Sequence, residues 1–114
     1  MIAPIIVDAK SEILLFDTIE TAEGYLEPID VQNYEYDAAY DSEGRLLSIT
    51  VSGKHTQIAL TEEKPEHAIE LERKLRDFLQ RTDDIPSDSI ACDLKCLIDI
   101  CKKYMISTKP KKDR

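Results

Sequence analysis

The sequence predicts an α+β domain built on a three- to four-stranded antiparallel sheet, in the order β-α-β-β-β-α-α, with helices packed on one face. Two observations predict this class. Short runs with the alternation or apolar content of strands fill much of the first half, separated by turn residues such as glycine. The second half carries apolar residues at helical spacing. Strands grouped before helices are typical of an antiparallel sheet covered by helices.

The chain begins with a short strand followed by a helix. Glu12–Phe16 is an apolar run that predicts a buried strand, and Met1–Asp8 is a candidate for an additional edge strand. Asp17 or Thr18 should cap the next helix, because either side chain can accept the free amide hydrogens of a first turn. Pro28 should end this helix, since the residue before a proline is pushed out of the α region.

A three-stranded meander is predicted next, over Asn33–Asp41, Arg45–Ser52 and His55–Thr61. Asp41–Gly44 has the composition of a turn with glycine at a positive φ, and Gly53-Lys54 suits a tight hairpin. Side chains alternate between the two faces of a strand, so period two assigns the first strand's residues to faces. The core face would carry Tyr34, Tyr36, Ala38 and Tyr40, and the other face Glu35, Asp37, Ala39 and Asp41.

Two helices are predicted in the second half, from Pro65 to about Arg81 and from about Asp88 to Ile106. The first should carry acid–base pairs four residues apart on its outer face. Residues 1–106 are therefore expected to form a single domain. Residues 107–114 are expected to form a disordered basic tail.

The three cysteines favour a reducing compartment. An odd number within ten residues is unlike a disulfide framework, and the chain starts without the features of a signal peptide, so a cytoplasmic location is expected. Cys101 falls on the apolar stripe of the last helix, whereas Cys92 and Cys96 fall on the opposite side. We expect ordinary helix residues, with a redox pair at Cys92 and Cys96 as the alternative. Their spacing does not match structural zinc sites, so no metal or cofactor is expected.

No catalytic motif is apparent, and the chain is not expected to be an enzyme. His67 has acidic neighbours in sequence but no second nitrogen ligand or nearby nucleophile. The turn at Asp41 is similar to a fragment of a calcium loop, but Ser52 stands where that loop requires a glutamate. A small hydrolase or metal-dependent enzyme that uses acids near His67 or the Asp41 turn is the alternative.

Charge is distributed unevenly along the chain. From Ser11 to Gly44 there are ten acidic residues and no lysine or arginine, and four of the five tyrosines lie in the same stretch. The whole chain has a net charge of −8, although residues 102–114 contain six basic residues and only one acid. A one-signed surface attracts partners of opposite charge, so a basic protein is the expected partner. Nucleic acids and anionic membranes are not expected to bind.

The segments Tyr25–Asp30 (YLEPID) and Tyr40–Leu47 (YDSEGRLL) carry a resemblance to a known family. With the residues around them, they resemble small acidic bacterial immunity proteins associated with polymorphic toxins of the Rhs or contact-dependent-inhibition type. The resemblance covers about a third of the chain. It implies a cytoplasmic protein that binds and neutralises a cognate toxin domain, but it does not fix the binding residues.

We therefore predict a non-enzymatic inhibitor whose acidic surface covers a basic, nucleic-acid-directed toxin domain. Carboxylates would take the positions of substrate phosphates and steer association. A secretion chaperone that binds an unfolded effector segment, usually as a dimer, is the alternative within the binding proteins. The predicted partner-binding residues are Glu35, Asp37, Tyr40, Asp41 and Glu43, extended by Glu20, Glu23 and Glu27 on the first helix.

Overall fold

A computed structural model of the chain describes residues 1–10, 12–83, 90 and 92–108, and the side chains of all of these except 82–83 and 104–108. Within these residues the protein is an α+β fold with a five-stranded antiparallel sheet and four helices. The class matches the prediction. The strands are β1 (Ile5–Ala9), β2 (Glu12–Phe16), β3 (Ala38–Tyr40), β4 (Leu46–Ser52) and β5 (His55–Leu60), and the helices are α1 (Ile19–Tyr25), α2 (Pro28–Gln32), α3 (Ala68–Asp83) and α4 (Leu94–Thr108).

The sheet has the order β2-β1-β3-β4-β5, which differs from the expected three or four strands. The N-terminal strand β1 was expected at an edge but lies inside the sheet. It pairs with β2 through a hairpin that places Ala9 opposite Glu12, and with β3 through Val7 opposite Ala39. A short apolar segment can fill an inner position because both of its faces are then covered.

The prediction that all helices pack on one face of the sheet is wrong. Successive residues of β1 point to opposite faces, and both faces are buried. On one face α3 and α4 form the core that we call the α3–α4 core, with Ile6, Ile13, Tyr40, Leu71, Leu75, Phe78, Leu79, Ile90, Leu97, Ile98 and Cys101. On the other face lies the α1 core, with Ile5, Val7, Phe16, Ala22, Leu26, Ala39, Leu47 and Ile58.

The first helix begins as the sequence predicts. The Thr18 side chain accepts the amide hydrogen of Thr21 at 3.0 Å and so caps α1. The helix ends at Tyr25, and Pro28 then opens α2, which the sequence analysis did not predict. Proline is favourable at this first helical position because its missing amide hydrogen would have no partner there.

The predicted strand over Asn33–Asp41 is much shorter in the structure. Only Ala38–Tyr40 forms β3, because Asn33 and Tyr34 lie in the turn after α2 and residues 35–37 form no regular structure. The expected division into faces is therefore wrong. Tyr36 packs against the α1 core and Tyr40 lies in the α3–α4 core, on the opposite face of the sheet.

The two predicted turns of the meander are confirmed. Gly53 has a φ of +63° in the hairpin between β4 and β5, and Gly44 has a φ of +93° between β3 and β4. A Cβ atom at Gly44 would overlap the backbone of Ala68. Glycine is therefore required at position 44 both for its backbone conformation and for the close approach of α3.

The second half forms two helices that pack on each other and on one face of the sheet. The predicted acid–base pairs on α3 are present, including Glu72 with Arg76 at 3.2 Å. The last helix, α4, spans Leu94–Thr108, whereas the sequence predicts a helix from about Asp88 to Ile106. The expected start lies outside the described residues, as does most of the expected basic tail.

Candidate functional site

An open groove of about 500 Å³ lies between the β1–β2 hairpin and the segment that contains α1 and α2. Four carboxylates and two tyrosines line it, together with a single lysine. We call this surface the acidic groove. Its lining comprises Ala9, Lys10, Glu12, Leu14, Tyr25, Glu27, Asp30, Glu35 and Tyr36.

The chain reversal after α2 brings part of this lining into place. The amide of Tyr34 donates to the carbonyl of Val31 at 3.1 Å, and the amide of Glu35 donates to the carbonyl of Asp30 at 3.0 Å. These two bonds form a Schellman motif, in which the residue after the C-cap adopts a left-handed conformation. Tyr34 occupies that position, with a φ of +58°. The reversal directs Glu35 and Tyr36 back along the groove.

Tyr34 is unusual in both its backbone and its exposure. Glycine is preferred at this position because a side chain there meets steric resistance, which costs about 1–2 kcal/mol for most residues. The Tyr34 side chain gives little packing in return, since the residue is 79% exposed. Ile29 on α2 is 60% exposed and Tyr25 is 45% exposed. Large apolar side chains are therefore presented beside the carboxylates of the groove.

The groove has an excess of negative charge. Among the described residues, no hydrogen bond or ion pair reaches the carboxylates of Glu12, Glu27 and Glu35. Asp30 is more constrained, because it accepts the hydroxyl hydrogen of Tyr36 at 3.4 Å. Burial and the nearby Asp30 carboxylate raise the pKa of Tyr36 to about 12, so the phenol stays protonated and donates.

The lysine of the groove is already paired. Lys10 Nζ lies 2.9 Å from Asp37 Oδ1, and both side chains are about half exposed. The hydrogen bond to Asp37 is the main reason why the pKa of Lys10 is raised. Asp37, which we predicted to contact a partner, thus has an intramolecular counter-ion. An exposed pair of this kind contributes little to stability and can exchange for other partners.

Asp41 was predicted to contact a partner but is fully buried, so this prediction is incompatible with the folded chain. Its Oδ1 accepts the amide hydrogens of Glu43 and Arg45, and its Oδ2 accepts from the Ile2 amide and from Arg45 Nη1, all at 2.9–3.1 Å. Burial raises the pKa of this carboxyl, but the hydrogen bonds, led by that from the Arg45 amide, outweigh it and lower the pKa below its usual value. Asp41 therefore organises the β3–β4 turn.

Glu43 shares the same guanidinium, with its Oε1 2.9 Å from Arg45 Nη1. Arg45 follows the acidic stretch in sequence and returns to neutralise its C-terminal end. The charge at Asp41 and Glu43 is therefore largely satisfied within the chain. Glu43 remains half exposed, so a role in partner binding stays a prediction for this residue.

Tyr40 was placed on the core face and also predicted to contact a partner; it is completely buried, so the folded chain does not present it to a partner. Its hydroxyl donates to Glu70, and the ammonium group of Lys74 lies 5.3 Å from the centre of its ring. Lys74 also forms a 2.7 Å ion pair with the nearly buried Asp8. Tyr40 therefore belongs to a polar cluster that joins the sheet to α3.

The acids of α1 have different environments. Glu20 is exposed, whereas Glu23 accepts the amide hydrogen of Ile58 at 2.8 Å. Ile58 lies on β5, an edge strand, and this bond covers one of its outward amides. Glu23 therefore protects the sheet edge. Of the predicted residues, only Glu27 and Glu35 meet in the acidic groove.

His67 has a structural position at the start of α3. Its Nδ1 lies 2.9 Å from Glu62, whose carboxylate also accepts the amides of Leu46 and Glu66. Within the described part of the chain, no three histidine, cysteine, aspartate or glutamate side chains are grouped as a metal site would require. Across the same residues, no helix combines the length and apolar character needed to cross a membrane.

No family model, curated protein or solved structure matches this chain. The groove must therefore be interpreted from its own chemistry.

Sequence reasoning missed several residues of the groove. Glu12, Tyr25, Asp30, Tyr34 and Tyr36 were not among the predicted contacts, although all except Tyr34 line the groove and Tyr34 adjoins Glu35. The available signal was the clustering of tyrosines with acids. The assignment of Tyr34 and Tyr36 to one buried strand face concealed this signal. Such an arrangement suits cationic side chains, because carboxylates attract the charge and aromatic faces pack against the aliphatic stem or the guanidinium plane.

Proposed function

We propose that this chain is a non-enzymatic binding protein of the immunity type, which neutralises a cognate toxin domain through the acidic groove. The observation that carries the proposal is Tyr34. A large aromatic side chain is kept exposed, on a left-handed backbone, next to carboxylates that receive no hydrogen bond or ion pair from the described residues. Backbone strain retained without a packing benefit is typical of functional positions.

The chemistry of the groove defines the kind of partner. Glu12, Glu27 and Glu35 would meet lysine or arginine side chains, and Tyr34 with Ile29 would supply the apolar contact that excludes water. Aromatic anchors surrounded by charge complementarity are the usual source of tight and specific association. Toxin domains that act on nucleic acid present basic surfaces to phosphates. We propose that the groove occupies or covers such a surface.

The proposal is tested by capturing the partner from the native host. Tagged protein should retain one dominant, stoichiometric partner, for which the product of the adjacent open reading frame is the first candidate. A double variant, Glu27→Lys with Glu35→Lys, reverses two charges of the groove. We expect it to weaken binding by at least about tenfold, or roughly 1.4 kcal/mol, with a smaller dependence on salt.

A matched control reverses two exposed acids outside the groove, Glu63→Lys with Glu66→Lys. This variant has the same net charge as the groove variant, so the overall electrostatic change is equal. If both variants weaken binding equally, the groove is not the interface. If the captured protein is an enzyme acting on nucleic acid, its activity should fall in proportion to added wild-type protein.

The same capture experiment separates the alternative functions. A secretion chaperone would retain an unfolded effector segment and would bind a folded toxin domain poorly. A hydrolase or metal-dependent enzyme would lose activity on His67→Ala, whereas an immunity-type inhibitor would protect the host equally well with that variant. Binding to a folded domain, together with protection that survives His67→Ala, supports the proposal.

A further inference from the structure

A disulfide joins Cys92 to Cys96 at the start of α4, contrary to the expectation of ordinary helix residues. The bond closes a segment of only four residue steps. A disulfide stabilises a fold mainly by restricting the unfolded chain, and the effect is smallest for short loops. Little of the fold therefore depends on this bond, and its position calls for a chemical explanation.

Non-covalent contacts hold the two cysteines near each other without the bond. Arg76 on α3 donates to the carbonyl of Ile90 at 3.2 Å and to that of Cys92 at 3.1 Å. Asp93 caps α4, because its Oδ1 accepts the amide hydrogen of Cys96 at 3.0 Å. The Cα atoms of the cysteines are 5.9 Å apart, within the range that a disulfide requires. Once reduced, the thiols would remain placed to close again.

The two cysteines are both partly exposed but have different surroundings. Cys96 lines an open cleft of about 310 Å³ with Asp93, Lys95 and Asp99 among its neighbours. Cys92 packs against the α3–α4 core. The third cysteine, Cys101, is fully buried in that core. An incoming thiol can therefore approach Cys96 from solvent, with Cys92 as the leaving sulfur.

We propose that Cys92 and Cys96 form a reversible thiol–disulfide exchange site whose co-reactant is a low-molecular-weight thiol of the glutathione class. The thiolate of the co-reactant attacks Cys96 Sγ, and the bond between the two protein sulfurs breaks. Cys92 leaves as a thiolate and takes a proton from water. A second thiol then displaces Cys96 from the mixed disulfide. Two thiols are thus oxidised to one small disulfide while the protein disulfide gains two electrons and two protons.

The first test is a redox titration of the folded, full-length protein in glutathione buffers without denaturant. Acid quenching, alkylation and tandem mass spectrometry report each cysteine: trypsin cleavage after Lys95 separates Cys92 from Cys96, and fragmentation of the peptide Cys96–Lys102 distinguishes Cys96 from Cys101. We expect the pair to be oxidised in disulfide-rich buffer and reduced in thiol-rich buffer, with Cys101 unmodified throughout. A pair that never oxidises, or that is reduced only after unfolding, overturns the proposal.

The second test identifies the attacked sulfur with two matched variants, Cys92→Ser and Cys96→Ser. Treated with oxidised glutathione, the first should accumulate the mixed disulfide on Cys96. The second should react at Cys92 at least about tenfold more slowly, because Cys92 packs against the α3–α4 core whereas Cys96 lines the open cleft. Equal rates in the two variants contradict the assignment of Cys96. The wild-type titration needs no variant, so it decides the reversibility of the pair even if a serine variant does not fold.

Discussion

Replacing Tyr34 by alanine and, separately, by glycine tests whether its left-handed backbone is strained. Both changes remove the exposed ring, so their difference isolates the backbone. Alanine at a φ of +58° keeps a steric cost of about 1–2 kcal/mol, whereas glycine avoids it. Glycine loses about 0.5–1 kcal/mol more chain entropy on folding. The Tyr34→Gly variant should therefore be more stable than Tyr34→Ala by roughly 0.5–1 kcal/mol.

Urea unfolding followed by circular dichroism measures this difference, with equal denaturant slopes expected for both variants. The expected gain corresponds to a midpoint shift of about 2–5 °C in a thermal scan. Gly24 in α1 provides a control, because alanine should be more stable than glycine at that position. A Cβ there meets open space on a helix, so Gly24→Ala should stabilise by about 0.5–1 kcal/mol. If alanine equals or exceeds glycine at position 34, the strain argument fails.

Three further predictions concern the turn at Asp41 and the acidic groove. Asp41→Asn should destabilise the protein by about 2–4 kcal/mol in urea unfolding. The substitution removes the negative charge beside the Arg45 guanidinium and one acceptor of buried amide hydrogens. A loss below about 1 kcal/mol would contradict this structural role. Folding lowers the pKa of Asp41, so the stabilisation by its ionised form is present above the unfolded pKa near 3.8 and is lost as pH falls through the folded pKa. The difference in unfolding free energy between wild type and Asp41→Asn should therefore shrink on acidification. A difference that stays constant with pH would contradict this prediction. Gly44→Ala should cost about 2 kcal/mol or more, since the new methyl overlaps Ala68, and an unchanged unfolding midpoint would refute the required approach of α3. Lys10→Gln removes the lysine of the groove, so it should tighten the binding of a cationic partner by about twofold to fivefold at low salt, as measured by titration calorimetry. The free energy of unfolding should change by less than about 0.5 kcal/mol. Weaker binding would instead place Lys10 in contact with acidic side chains of the partner.

The sequence predicted local structure more reliably than the positions of charged side chains. The turns at Gly44 and Gly53 and the cap at Thr18 follow from rules that act within a few residues, and the structure confirms them. The left-handed position of Tyr34 carries no such signal, because glycine or asparagine usually marks it. Period two therefore extended the predicted strand β3 back to Asn33, through residues that belong to the Schellman motif after α2.

Tertiary contacts account for the remaining differences. Asp41 was correctly placed in a turn, but its burial depends on Ile2, which lies 39 positions away in sequence. Nothing local distinguishes such a carboxylate from a solvated one. The different environments of Glu23 and Glu27 have the same origin. Glu23 on α1 contacts the edge of β5, whereas Glu27, predicted on the first helix, is the N-cap of α2 and borders the groove. Composition indicated an acidic surface, and only the fold selects the acids that remain available.

The interior position of β1 determines how the protein unfolds. Ile5 and Val7 reach one hydrophobic layer, while Ile6, between them, reaches the other. If β1 leaves the sheet, the α1 core and the α3–α4 core are therefore both disrupted. Amide protons of β1, β3 and the centres of α1 and α3 should accordingly exchange with deuterium in a single global event, even though the helices on the two sides never share a core.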